Sequence, residues 1–300
     1  MFAVKYRKIF YILSGAMMLI SFLLMAVWGF NVGTDFKGGS IIEVKYGEEV
    51  QRSEIENSLK SLSLGDVSVR STDDNNFIIR VRDLNQEEQE KIKTLLATEN
   101  NYQYEIGRFS SVGPVIGEEL KDKALIAIFA IIIITIIFVA YAFKNVSKPV
   151  SSWSYGFVSI LALAHDITIP AGFAVVLGKF SGMEIDALFI TALLSLLGYS
   201  INDTIVIFDK IRENLKRNKD SNTHEDFSKT VGRSLSETYG RSINTSLTTF
   251  LVLISLFILG GASIKFFILT LIIGTISGVY SSIFLAAPLL VTINNWKSKK

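Results

Sequence analysis

Residues 161–170, LALAHDITIP, and 196–208, LLGYSINDTIVIF, each set an aspartate inside an apolar run long enough to cross a bilayer. A carboxylate at membrane depth is costly, and it faces a bundle interior or a water-filled path rather than lipid. The chain carries this cost twice, at Asp166 and Asp203, and adds Arg241 at the mouth of another apolar run. The pattern points to movement of charge or protons inside a membrane. The plain alternative leaves both acids at helix ends among headgroups, and their positions well inside the runs speak against it.

Working outward, runs at 9–30, 124–143, 153–177, 187–208, 243–259 and 266–293 reach or approach the roughly 20 residues of a spanning helix. Six spans are expected, although 300 residues would otherwise suggest one or two soluble domains. The fifth run is the most polar, with Asn244, Thr245, Ser246, Thr248 and Thr249 near its start, and suits a membrane only if those groups pack inward. Lys5, Arg7 and Lys8 precede the first run as in a signal peptide. The run is about 22 residues long and ends in WGFNVG rather than a small-x-small site, so a retained anchor is the better reading. With no cysteine there is neither a disulfide framework nor a thiolate metal site.

Orientation follows from lysine and arginine in short loops. The N-terminus, Lys144 and Lys148, the Lys210, Arg212, Lys216, Arg217 and Lys219 cluster, and Lys297, Lys299 and Lys300 fall on one side if there are six spans. Both termini are then cytoplasmic. The chain divides into residues 1–30 (cytoplasmic end and first span), 31–122 (outside), 123–293 (five spans, with a cytoplasmic loop at 209–241) and a basic tail at 294–300. The 209–241 loop reads as one or two helices lying along the membrane surface, where its basic cluster either meets anionic lipid or is simply solvated. His224 lies there with no second histidine near, which makes metal binding improbable.

The outside stretch reads as a small folded domain. Strands at 40–46, 67–71, 77–81 and 102–109, helices at 50–64 (Ile55, Leu59 and Leu62 on one face) and 86–98, and a turn at Asp73-Asp74-Asn75-Asn76 give the order βαββαβ, the ferredoxin-like arrangement. That fold alone predicts no function.

In the third span, His165 and Asp166 are followed by Pro170, whose missing N–H frees the Asp166 carbonyl, and Ser159 and Ala162 form a small-residue stripe below. The group either takes part in proton movement or ties a kinked helix to its neighbour. In the fourth span, Gly198, Tyr199, Ser200, Asn202, Asp203 and Thr204 make a polar island. Asp203 lies roughly 8–9 Å from the inner boundary, and Asp166 is nearer mid-membrane. In the fifth, Arg241, Thr245, Thr248 and Ser255 follow helical spacing and are expected to face Asp203, with Asn244 bordering. Gly33, Gly38 and Gly39 around Asp35 form a tight connector out of the first span. No helix with a P-loop Lys-Ser/Thr follows, so it is not a phosphate loop. Gly113, Pro114 and Gly117 make its counterpart before the second span.

Five motifs in order, GTDFKGG (33–39), SVGPVIGEEL (111–120), LALAHDITIP (161–170), GYSINDTIVIFDKIREN (198–214) and GRSINTSLTT (240–249), resemble the SecF family of bacterial protein-export subunits. The sequence departs from that pattern at Lys37, where a smaller polar residue is usual. The resemblance implies an RND-transporter-like half-bundle of six helices in the inner membrane. It implies further that this half pairs with a SecD half and that the pair uses proton flow to help draw unfolded secretory chains from the SecYEG channel. It also implies a proton-passage role for Asp203 and Arg241; Asn202, Thr245, Asp166 and His165 are further pathway candidates from the residues themselves. No cofactor, metal or nucleic-acid partner is expected, membrane lipid is, and the chain is not read as an enzyme. A half-size RND-type transporter of lipids or small molecules is the alternative. An intramembrane aspartyl protease is more remote, since its dyad needs two carboxylates sharing a proton and Asp203 has no GxGD setting.

Overall fold

The structure is a computed structural model and describes residues 2–60, 62, 64, 65, 67–71, 75–98, 104–143 and 149–297. Asp73, Asp74, Lys144, Lys148, Lys299, Lys300 and the start of the expected last strand lie outside the described residues. Two compact units emerge: Met1–Asn31 with Ile126–Lys300, and Val32–Leu125.

The smaller unit opens with a helical turn α1, Thr34–Lys37, followed by β1 (Gly39–Tyr46), α2 (Arg52–Lys60), β2 (Ser68–Ser71), β3 (Asn76–Val81), α3 (Gln86–Thr98) and β4 (Tyr104–Val112). Among the described residues the sheet has the order β2-β3-β1-β4, antiparallel throughout, which is the ferredoxin-like topology. β3 reads NFIIRV, and its alternation sends Phe77, Ile79 and Val81 inward beside Ile42, Val44 and Tyr46 of β1. Ile55 and Leu59 of α2 and Ile92 of α3 close that core. Each such side chain contributes about 1.5–3 kcal/mol by leaving water. α2 is shorter than the 50–64 expected. Val50 lies before it and packs as a buried plug, and Leu62 is only partly buried. β4 runs on to Val112, pairing with β1 through an irregularity at Glu43/Val44.

The glycines of the two connector motifs meet in this unit. Gly33 accepts from the N–H groups of Phe36 and Lys37 at 3.2 and 3.1 Å, closing the α1 turn around half-buried Asp35. Gly38 and Gly39 have φ of 81° and 142°, where side chains are strained, and a Cβ on Gly38 would lie 2.8 Å from the Pro114 Cα. Gly117 packs on the Phe36 carbonyl, and Gly113 accepts its N–H at 3.0 Å.

The larger unit is helical. Among the described residues six helices are long and apolar enough to cross a membrane. They are α4 (Arg7–Trp28, preceded by the short α5, Phe2–Lys5), α6 (Pro114–Ala142), α7 (Ser152–Ser181), α8 (Ala187–Asp220), α9 (Phe227–Leu259) and a last span of α10 (Ala262–Tyr280), a π-helical turn (Ser281–Ala286) and α11 (Ala287–Lys297). α6 begins at Pro114, ahead of the residue-122 boundary expected, because proline suits a first helical position. α7 and the last span are the most buried spans, whereas α4 and α6 expose long apolar faces. Small residues let helices close on one another. A Cβ on Gly172 of α7 would fall 2.5 Å from the Ser21 side chain of α4, and one on Gly274 of α10 would clash with Leu196 of α8.

The 209–241 segment forms no separate surface helices. α8 continues unbroken to Asp220 and α9 starts at Phe227, so the spans themselves extend into a hairpin turned at 221–226. Periodicity explains the difference: Ile207, Ile211 and Asn214 continue the buried stripe of α8, and Val231 and Leu235 that of α9. Asn214 donates to Ser234 and Glu237 at 3.0 Å, and Asn218 to Glu225 and Thr230 at 3.0 Å. Ala3 and Val4 of α5 share one core cluster with Phe227, Val231, Leu290 and Val291, and Lys297 donates to Ser151 and Ser154. α5, α11 and the hairpin therefore gather at one end of the bundle.

Candidate functional site

Asp166 sits on α7, the helix packed against α4, α8, α10 and the π turn, and is 1% exposed. α7 runs through Pro170 without ending. Its carboxylate is caged. Oδ1 accepts from His165 Nδ1 at 2.9 Å and Ser277 Oγ at 3.3 Å. Oδ2 accepts from Ser281 Oγ at 2.7 Å and, in a short bond, from Ser200 Oγ. His165 is fully buried and stacks on Tyr280 with ring centroids 5.8 Å apart. The Tyr280 hydroxyl donates to the Phe10 carbonyl at 3.1 Å and accepts from Ser14 at 3.4 Å. The network thus runs through α4, α7, α8 and the last span. Among the described residues His165 Nε2 is buried without a partner.

Asp203 differs. It is half-buried on α8, and Oδ1 accepts from Ser242 Oγ of α9 at 2.7 Å. Among the described residues Oδ2 is buried with no hydrogen bond. A rise of 1.5 Å per residue puts Asp203 about 4.5 Å from the level of Ser200, one turn along from the Asp166 cage. Each acid has its own donors and no shared proton, unlike a protease dyad.

The face of α9 that meets Asp203 is offset by one residue from the expected one. Ser242 and Ser246 point inward, Ser246 accepting from Tyr199 at 3.1 Å. Arg241, Thr245, Thr248 and Ser255 are exposed; Thr248 and Ser255 bond back to carbonyls of their own helix. One residue is about 100° of helical turn, so a stripe drawn through 241 misses the partner helix that a stripe through 242 meets. Asn202 and Asn244 are likewise exposed. Among the described residues Arg241 makes no ion pair with Asp203, though its charge acts on that carboxylate. Arg241 instead lines a cavity of about 480 Å³ with Ile205, Val206, Asp209, Lys210, Glu213, Glu237 and Thr238; the cavity begins within one turn of Asp203 along α8 without including it.

Sequence reading passed over Ser242, Ser277, Ser281 and Tyr280. The stretch SGVYSS at 277–282, with serines four apart, was the signal for the last span's share of the cage.

Residues 91–296 match the family described as "Protein export membrane protein SecD/SecF, C-terminal". A relative named protein translocase subunit SecF, from Thermobaculum terrenum, is 35% identical across 99% of this chain and 94% of its own length. The chain belongs to the SecF family. A second SecF, from Haemophilus influenzae, is 36% identical over 94% of this chain and 82% of its own length. The crystal structure of SecDF, a translocon-associated membrane protein from Thermus thermophilus, superposes with a TM-score of 0.80 at 30% identity. That match covers 98% of this chain and 38% of the SecDF chain, so the SecF chain spans well under half of that larger protein.

Proposed function

We propose that this SecF chain is an accessory subunit of the Sec protein translocase that uses the proton-motive force to promote late-stage export across the bacterial inner membrane. Family membership supports the translocase role, and the half-open carboxylate of Asp203 carries the proton reading. A carboxylate with one bonded and one unpartnered oxygen, one helical turn from a polar cavity, can take up and release a proton without dismantling its site. Asp203 is the carrier and Arg241 its electrostatic neighbour. Asp166 with His165 braces α7 against its neighbours, and Asn202 and Thr245 lie on the outward polar face. No bond-making chemistry is assigned to the chain.

That outward face of α9 calls for a second wall, because exposed Arg241, Thr245 and Thr248 are poor neighbours for lipid. A SecD half supplies it, as the size of the SecDF relative suggests. The remaining partners are SecYEG, the unfolded secretory polypeptide and the surrounding lipid. We place the hairpin, both chain ends and the 294–300 tail in the cytoplasm and the 31–122 domain outside, following the basic residues. A transmembrane potential supplies about 2.3 kcal/mol per charge per 100 mV, enough to bias a two-state bundle more than tenfold.

The test uses membrane vesicles that contain the translocase with or without this chain and its SecD half. The chain should copurify with SecD at equal stoichiometry and add an increment of late-stage export that a protonophore abolishes. An increment unchanged by the protonophore would contradict the reading.

A further inference from the structure

The cavity beyond Asp203 contains charged groups that the proposed proton route has not used. On α8, Val206, Asp209, Lys210 and Glu213 line it at helical spacing, starting one turn past Asp203, and Glu237, Thr238 and Arg241 line it from α9. Seven residues separate Asp203 from Lys210, about 10 Å along the helix. At the far end Lys210 Nζ bridges two carboxylates, Glu213 at 3.0 Å and Glu237 at 3.4 Å. Glu237 Oε2 also accepts from Asn214 at 3.0 Å, and among the described residues its Oε1 has no partner. A polar space of about 480 Å³ has room for on the order of ten waters. An acid-lined polar space therefore begins at Ile205 and Val206, within one helical turn of Asp203, and lies toward the end of the bundle where the hairpin, α5 and α11 gather.

We propose that Glu237 is the proton-exchange station between water at that end of the bundle and Asp203, with Lys210 as its movable counter-charge. The inference rests on the carrier role proposed for Asp203. A hydronium in the cavity gives its proton to the Glu237 carboxylate, and Lys210 shifts its bond wholly to Glu213. Neutral Glu237 passes the proton through cavity water to Asp203 Oδ2 and returns as a carboxylate to Lys210. One proton moves, and no other bond is made or broken.

The charged groups around Glu237 are few. Lys210, Glu213 and Asp209 stand on the facing helix and Arg233 and Arg241 on its own. α5 packs on α9, but its Lys5 sits over the Tyr6 ring. α11 packs there too, and its Lys297 is engaged with Ser151 and Ser154. Lys265, the charged residue of α10, lies in that helix's first turn, more than four turns from Tyr280.

The test is gradient-driven export by the assembled complex as the pH on the terminus side is varied. Glu237→Gln keeps the shape and the Asn214 bond but cannot titrate. It should assemble normally, lower gradient-driven export roughly tenfold and flatten the pH profile. The loss is smaller than the 10²–10⁴ of a directly placed acid or base because water can bypass a relay. Glu237→Asp should recover most of the rate and a sloped profile. Wild-type rate and profile in Glu237→Gln, or an equal loss in Glu237→Asp, would overturn the assignment. Should Glu237→Gln not assemble, the cysteine-free sequence offers a second readout. Val206→Cys and Thr238→Cys should react with a membrane-impermeant thiol reagent from the terminus side while Ser200→Cys is protected, and a cavity closed to the reagent would overturn the route. Loss in Glu237→Gln with full activity in Asp203→Asn would sink the carrier reading instead, and the converse would sink only this inference.

Discussion

Asp166 and Asp203 lie about one helical turn apart in depth, yet one carboxylate is enclosed and the other is left half-open. Asp166 receives four donors from α7, α8 and the last span, and all of its neighbours are buried. Asp203 receives one donor, its Oδ2 has no hydrogen bond among the described residues, and a polar cavity begins within one turn of it along α8. The same residue type at membrane depth thus does two jobs. An acid whose lone pairs are all taken holds helices together, and one with an unused lone pair and nearby water can exchange a proton.

The largest expected effect lies on the enclosed side. Asp166→Ala removes the acceptor from three serines and His165, and should destabilise the bundle by about 3 kcal/mol. The amount of folded chain in membranes should fall and thermal unfolding in detergent should shift down. Unchanged stability would mean that the cage does not hold the helices. Ser242→Ala is a smaller probe of the open side. It removes one hydrogen bond, about 1 kcal/mol, so gradient-driven export should drop roughly fivefold with assembly intact. If Ser242→Ala were instead as destabilising as Asp166→Ala, the contrast between the two acids would collapse.

The smallest effect belongs to the hairpin. The Asn218 side chain hydrogen-bonds Glu225 and holds its carboxyl below the usual range; burial opposes this, and Thr230 and Arg233 assist. A depressed folded value means that the contribution is present above the ordinary carboxylate pKa of about 4.3 and fades as pH falls through the lower, folded one. Hydrogen exchange in the 221–226 turn should therefore rise modestly on acidification in the wild type and stay flat in Glu225→Gln. A turn insensitive to acid in both would show that the Glu225 cluster does not order it.

Much of the fold was legible because its signals are local. Six long apolar runs and the βαββαβ alternation need no tertiary knowledge, and the spans and the β2-β3-β1-β4 sheet follow them. The hairpin was misread because the charges on α8 mask a buried stripe through Ile207, Ile211 and Asn214 that continues the helix. Half of the site was legible for a similar reason: the two aspartates are conspicuous against leucine and isoleucine. Their partners were not, because a serine in a span looks alike whether it bonds its own backbone, as Thr248 does, or a carboxylate on another helix, as Ser242 and Ser281 do. Only the rotation of α9 against α8 separates Ser242 from its neighbour Arg241, and that rotation is a tertiary fact.

The central claim is that Asp203, and not the enclosed Asp166, gives up and takes back the proton. Asp203→Asn keeps the Ser242 hydrogen bond and the side-chain shape while removing titration. Its late-stage export should be measured in vesicles with and without an imposed proton gradient. The expected result is a complex assembled at the wild-type level whose export with the gradient falls to the rate seen without it. Full gradient-dependent export in assembled Asp203→Asn would contradict the account and move the proton to Asp166.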